Sequence, residues 1–117
     1  MPTVQNRHSL WNYERAPQVA VAATALLNNV QFSGASGPHE LSLRLGISDM
    51  AAWGAGSFFL IEHNGKELLT IDDQLADLLR PVSIPLELTG KDSIAISFFN
   101  ASTGPVDASA VIRVDAA

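Results

Sequence analysis

The stretch Ser93-Ile-Ala-Ile-Ser-Phe-Phe-Asn100, the turn Ala101-Ser-Thr-Gly-Pro105 and the run Ala108-Ser-Ala-Val-Ile-Arg-Val114 decide the fold. Ile94, Ile96 and Phe98 alternate with Ser93, Ala95 and Ser97. Ala108, Ala110, Ile112 and Val114 alternate with Ser109, Val111 and Arg113. Successive side chains of a strand point to opposite faces, so a period of two marks a half-buried strand. The neutral, Gly- and Pro-containing segment between the two runs is turn chemistry.

The same signals recur upstream. Leu41, Leu43 and Leu45 alternate with Ser42 and Arg44, and Ile84, Leu86 and Leu88 with Pro85 and Glu87. Pro85 cannot donate to a ladder, which puts its strand at an edge or a bulge. Thr89-Gly-Lys-Asp92 reads as a turn. Phe58-Phe-Leu-Ile61 is a buried strand leading to His63-Asn-Gly-Lys66. Asn-Gly between apolar runs is a hairpin signal, because a type I′ turn needs positive φ at both central residues. Leu68 and Leu69 begin the return strand. Val19 to Ala25 is an alanine-weakened strand, Asn28-Asn29 breaks it, Val30-Gln-Phe32 is short and extended, and Ser33 to Pro38 is a loop by composition. One short helix is expected near 71–80. Thr70 precedes Asp73 as in a capping box, Ile71, Leu75, Leu78 and Leu79 follow at helical spacing, and Pro81 ends it. The fold class is therefore all-β, an antiparallel β-sandwich or jelly roll of about seven or eight short strands.

Residues 1–18 read as an extended N-terminal arm, and residues 19–117 as a single β-sandwich domain. Pro2 and Pro17 bracket the arm, and it shows no period. Leu10, Trp11 and Tyr13 cluster within it, whereas free tails are depleted in aromatics. These rings either fold back on the chain's own core or anchor the arm on a partner.

Composition excludes several classes. Of the 117 residues 16% are charged and 47% hydrophobic, the reverse of a disordered chain. There is no cysteine, hence no disulfide scaffold, thiolate metal site or thiol nucleophile. A net charge of −5, with only seven scattered basic residues, argues against nucleic acid. Val19 to Leu27 is the longest apolar stretch, too short for a bilayer, and the first eighteen residues do not read as a signal peptide.

No catalytic set is legible. Gly54-Ala-Gly-Ser57 lacks the glycine that follows the serine of a nucleophile elbow. His8, His39 and His63 form no metal-binding pair and read as surface or loop residues. Asp72, Asp73 and Asp77 lack calcium-loop spacing, and the first two suit a helix N-terminus. Asn100-Ala-Ser102 matches a glycosylation acceptor, yet the same residues make a turn. No cofactor or metal is expected, and the chain is read as not an enzyme. Trp53, in the charge-free Met50 to Gly56, either plugs one end of the sandwich or offers a stacking platform.

Charge is absent from residues 16–38, 50–61 and 93–106, turns included. A lone monomer carries charges on its strands' outer sides and loops. Permanent interfaces are depleted in charge. These three segments should therefore be core or subunit interface.

Residues 84–114, with Gly90-x-Asp92, alternating aliphatics, Asn100 at a strand end and a closing aliphatic strand, resemble the last strands of small β-sandwich proteins of bacteriophage virions. Carbohydrate-binding jelly rolls look similar. The first resemblance implies a non-catalytic capsid decoration, minor capsid or vertex protein located in the virion. Such a protein would be a homo-oligomer that docks on a major capsid or other virion protein; Leu10, Trp11 and Tyr13 of the arm and Trp53 of the neutral loop are the expected interface residues. The second implies a lectin-like, glycan-binding module using an exposed Trp.

Overall fold

A computed structural model describes residues 3–5, 9–48, 55–72 and 82–116. The chain is all-β. Seven strands, β1 (Thr3–Gln5), β2 (Ser9–Val19), β3 (Thr24–Ile47), β4 (Phe58–His63), β5 (Lys66–Ile71), β6 (Val82–Phe99) and β7 (Val106–Ala116), form one sheet. Its order is β2-β7-β3-β6-β4-β5, every pair antiparallel, with β1 added parallel to β3.

The strands are longer than their local patterns suggest. Ser33 to Pro38, expected as a loop, and Thr89 to Asp92, expected as a turn, both lie inside strands. Their glycines bend the ladder instead of ending it. Gly34 (φ 88°) and Gly90 (φ 98°) adopt backbone angles open to glycine. The register slips between Ser33 and Ser36, and pairing resumes at Ser36↔Thr89. Likewise Asn28-Asn29 does not break β3. The ladder slips at Leu26/Asn28 and continues, and Asn28 is buried. Val19 to Ala25, expected as one strand, holds a reversal. Ala22 sits at φ 59° and its N–H donates to Asn100 O (2.8 Å), so β2 ends at Val19 and β3 starts at Thr24.

Because the two bends stand opposite each other, the sheet divides into two halves. In the β4 half, residues 24–33 of β3 pair with 91–99 of β6, flanked by β1, β4 and β5. In the β7 half, residues 36–43 of β3 pair with 82–89 of β6, while 39–47 pair with β7, and β7 carries β2. Buried residues from both halves join one core. Phe59, Ile61, Ile94, Ile96, Phe98 and Val30 come from the β4 half, and Leu41, Leu43, Ile112 and Val114 from the β7 half. Asn28 Nδ2 spans the two, donating to Ala110 O (3.4 Å). Each such fully buried aliphatic or Phe contributes about 1.5–3 kcal/mol of transfer free energy.

The alternations of Leu41–Leu45, Ile94–Phe98 and Ala108–Val114 appear as read, with the predicted apolar residues inside. The Asn64-Gly65 hairpin also forms, at φ 53° and 82°, with His63 opposite Lys66. Pro85 lies on an edge, since residues 82–89 have a strand neighbour on one side only among the described residues. The short helix near 71–80 does not begin at Ile71, which ends β5 opposite Phe59 with its side chain in the core. Strand pairing outweighs the local helical spacing there, and the remainder of that segment lies outside the described residues. Among the described residues there is no helix, and hence none long and apolar enough to cross a membrane. Within the stretch assigned to an arm, Ser9–Val19 form strand β2 on the edge of the chain's own sheet.

Candidate interaction faces

Three places concentrate functional side chains: a buried carboxylate under the β4–β5 hairpin, and the outward faces of the two halves.

Asp92 follows the bend of β6, and its side chain is fully buried. Its carboxylate accepts from His63 Nε2 (2.8 Å), Thr89 N (3.0 Å), Thr89 Oγ1 (3.1 Å) and Asn64 Nδ2 (3.2 Å). Asn64 adds a backbone pair to β6, accepting from Ser93 N through Oδ1 (2.8 Å) and donating its own N–H to Ser93 O (2.9 Å). Burial pushes the Asp92 carboxyl up, but the bonds from His63, Thr89 and Asn64 outweigh it and hold the group below its ordinary 3.8. The carboxylate is thus occupied in tying the hairpin to the bend. His63 was read as a surface or loop residue; it pairs instead with Asp92, and its side chain is only 18% exposed. His39, also expected at the surface, is buried on β3, with Nδ1 3.1 Å from Gly37 O. Among the described residues no group of three His, Asp or Glu is placed to hold a metal. Asn100 is buried as well. Its Nδ2 donates to Val19 O (2.8 Å) and Gly104 O (2.9 Å), so the glycosylation-like triplet is a structural turn.

The outward face of the β4 half brings the three charge-free segments together. Residues 24–33, 93–99 and 58–61 are adjacent strands, with rungs Thr24–Phe99–Phe58 and Leu26–Ser97–Leu60–Thr70. Phe58 and Phe99 stack with ring centres 5.3 Å apart. Leu26 is 58% exposed, and Val21, in the neighbouring reversal, is 50% exposed. The inward alternates of these segments are core, as expected. The outward ones face solvent in the single chain, and Glu62 and Glu67 carry the first charges on the hairpin side.

The outward face of the β7 half is charged. Arg113 stands opposite Ser42 and Val111 opposite Arg44, with a groove of about 430 Å³ lined by Glu40, Ser42, Arg44, Val111, Arg113 and Asp115. A second groove of about 250 Å³ lies between Tyr13, Arg15, Gly46 and Ser109. Arg15 pairs with Asp107, and Arg113 Nε donates to Asp115 (2.6 Å). Hydrogen bonds from the Gln18 N–H and from Arg15 hold the Asp107 carboxyl below its ordinary value.

Of the interface residues expected from sequence, Tyr13 is half exposed on β2 opposite Val111. Leu10 and Trp11 stand opposite Val114 and Arg113 in the register. Trp53 lies outside the described residues. Sequence reasoning missed Asp92 as a hub. Its signal was a carboxylate two residues past a strand glycine, but the pairing to His63 spans the whole β5–β6 connection.

No protein-family model matches the chain, and no curated protein does. Solved structures align with it, two of them at a TM-score above 0.5. The crystal structure of FLHE aligns at a TM-score of 0.54 with 10% identity, over 95% of this chain and 100% of that one. The insecticidal delta-endotoxin Cry8Ea1 from Bacillus thuringiensis aligns at 0.51 with 12% identity, over 83% of this chain. The match spans only 19% of the endotoxin's length. A carbohydrate-binding module, CBM36 in complex with calcium and xylotriose, aligns at 0.46 with 20% identity, over 82% of this chain and 76% of the module. At these identities the likeness concerns the fold alone.

Proposed function

We propose that the protein is a two-layer β-sandwich that acts without catalysis. It assembles with copies of itself and docks on neighbouring subunits of a larger particle. The single observation that carries this reading is the convergence of three charge-free segments on one outward face, where Leu26, at the β3 end of its rung, is 58% exposed. Charge-poor, partly apolar faces characterise the cores of lasting interfaces. The resemblance of residues 84–114 to phage virion sandwiches makes the particle a virion and the role that of a decoration, minor capsid or vertex protein. The sandwich itself is supported by the aligned bends of β3 and β6 and by the one core shared between the two halves.

Sedimentation velocity at micromolar concentration tests it. Wild type is expected to be oligomeric, and Leu26→Lys to sediment as a smaller, still folded species. A wild type that stays monomeric, or an oligomer indifferent to Leu26→Lys, sinks the reading.

Glycan binding is the second reading, favoured by Tyr13, a half-exposed ring beside the groove floored by Gly46 and Ser109. Its test is intrinsic fluorescence during titration with glycans of several classes. A change abolished by Tyr13→Ala supports it, and no response to any class removes it.

A further inference from the structure

The charged outward face has the pattern of a self-complementary surface. On β3, Glu40, Ser42 and Arg44 follow one another on the same outward side. Alternate residues of a strand are about 6.8 Å apart, so Glu40 and Arg44 lie roughly 14 Å from each other with Ser42 midway. Both are exposed, and neither has a hydrogen bond or ion pair among the described residues, whereas Arg15 and Arg113 are paired. Two free, opposite charges thus flank a small neutral residue at equal distances.

We propose that this face binds a second copy of the chain, with a two-fold axis in the interface plane crossing β3 at Ser42, perpendicular to the strands. The operation reverses the strand direction and turns the face over. It sets each copy's Glu40 above the other's Arg44, making the contact isologous with two ion pairs. Arg113, next to Ser42, meets its own copy near the axis. Each Arg113 keeps the Asp115 carboxylate 2.6 Å away, so the centre is neutral. The groove beside β3 leaves room there for the facing side chains. The inference rests on the self-assembling reading above and adds a second contact, on the opposite side of the molecule from the neutral face. Two different isologous faces on opposite sides generate an extended array. Screening should dissolve the charged contact and spare the neutral one.

Charge reversal tests this. In Arg44→Glu both ion pairs become acid against acid, and in Glu40→Arg base against base. Each variant alone should associate through this face about tenfold more weakly, or worse, at low ionic strength. A mixture of the two variants restores both attractions, as does Glu40→Arg/Arg44→Glu in one chain. All three substituted chains should keep the wild-type circular dichroism, because both sites are exposed. Sedimentation velocity is the readout. Wild type should exceed a dimer at low salt and fall to a dimer at high salt.

Single reversals without effect, or a mixture that does not reassociate, overturn the proposal. If Leu26→Lys alone abolishes association and the reversals change nothing, this face fails and the neutral-face reading stands. If the reversals act and Leu26→Lys does not, the neutral face fails and this one stands. A wild-type monomer at every salt concentration overturns both.

Discussion

Replacing Asp92 with alanine removes the acceptor that joins the β4–β5 hairpin to the bend of β6. Four donor atoms lose their partner at once: His63 Nε2, Thr89 N, Thr89 Oγ1 and Asn64 Nδ2. Hydrogen bonds to a charged group contribute about 1.5–3 kcal/mol each, and they are not additive when they share one acceptor. Each buried donor left without an acceptor costs about 1–3 kcal/mol. His63 keeps some solvent contact and Asn64 is exposed, so part of the donor set can turn to water. The Thr89 N–H, at the bend, has less freedom. The expected loss is therefore about 3 kcal/mol, well below the sum over the four donors. In urea this appears as a midpoint lower by about 1–2 M with an unchanged slope. The pH dependence gives a second, independent reading. Asp92 titrates below 3.8 in the folded chain, so its contribution is present above 3.8 and is lost as pH falls through the lower folded value. The difference between wild type and Asp92→Ala should be widest above that pH and shrink below it. A loss under about 1 kcal/mol at neutral pH, or a difference that persists in acid, would refute the argument.

Further outcomes follow from three single positions. Asn100→Ala leaves the carbonyl of buried Val19 without the Asn100 amide, while Gly104 O keeps the Ser102 hydroxyl (2.9 Å), and should cost about 1–3 kcal/mol by urea titration. Because Asn100 is fully buried with its amide nitrogen committed, the folded chain should gain no mass at this site when exposed to a glycosylating enzyme, as read by mass spectrometry. Gly90→Ala meets no atom within 4 Å but must hold φ near +98°, so it should lose about 1–2 kcal/mol from backbone strain alone; Gly104→Ala, equally open and at no positive φ, should be near neutral in the same titration.

How much was legible depended on range. The alternations at 41–45, 94–98 and 108–114, and the Asn64-Gly65 turn, are local signals, and the structure follows them. Segment ends were not legible, because Gly34 and Gly90 read alone as loop punctuation. Only their placement opposite each other turns them into one bend across paired strands. His63 misled for the same reason: its neighbour Glu62 carries a carboxylate, while its actual partner arrives from β6. Trp53, singled out as a platform or plug, and most of the expected helix lie outside the described residues.

By itself the sequence determined the class of the chain. Period-two hydrophobicity imposes strands, and the low, clustered charge marks three neutral stretches. Tertiary structure decided what those stretches mean. Strand pairing laid residues 24–33, 58–61 and 93–99 side by side. The pleat then sent one half of their side chains into the core and left the other half as a neutral face. The β7 half keeps Glu40 and Arg44 on either side of Ser42, at a spacing set by the strand. Periodicity is a property of neighbours along the chain, whereas a surface is assembled from residues distant in sequence, so the first could be read from the letters and the second only from the fold.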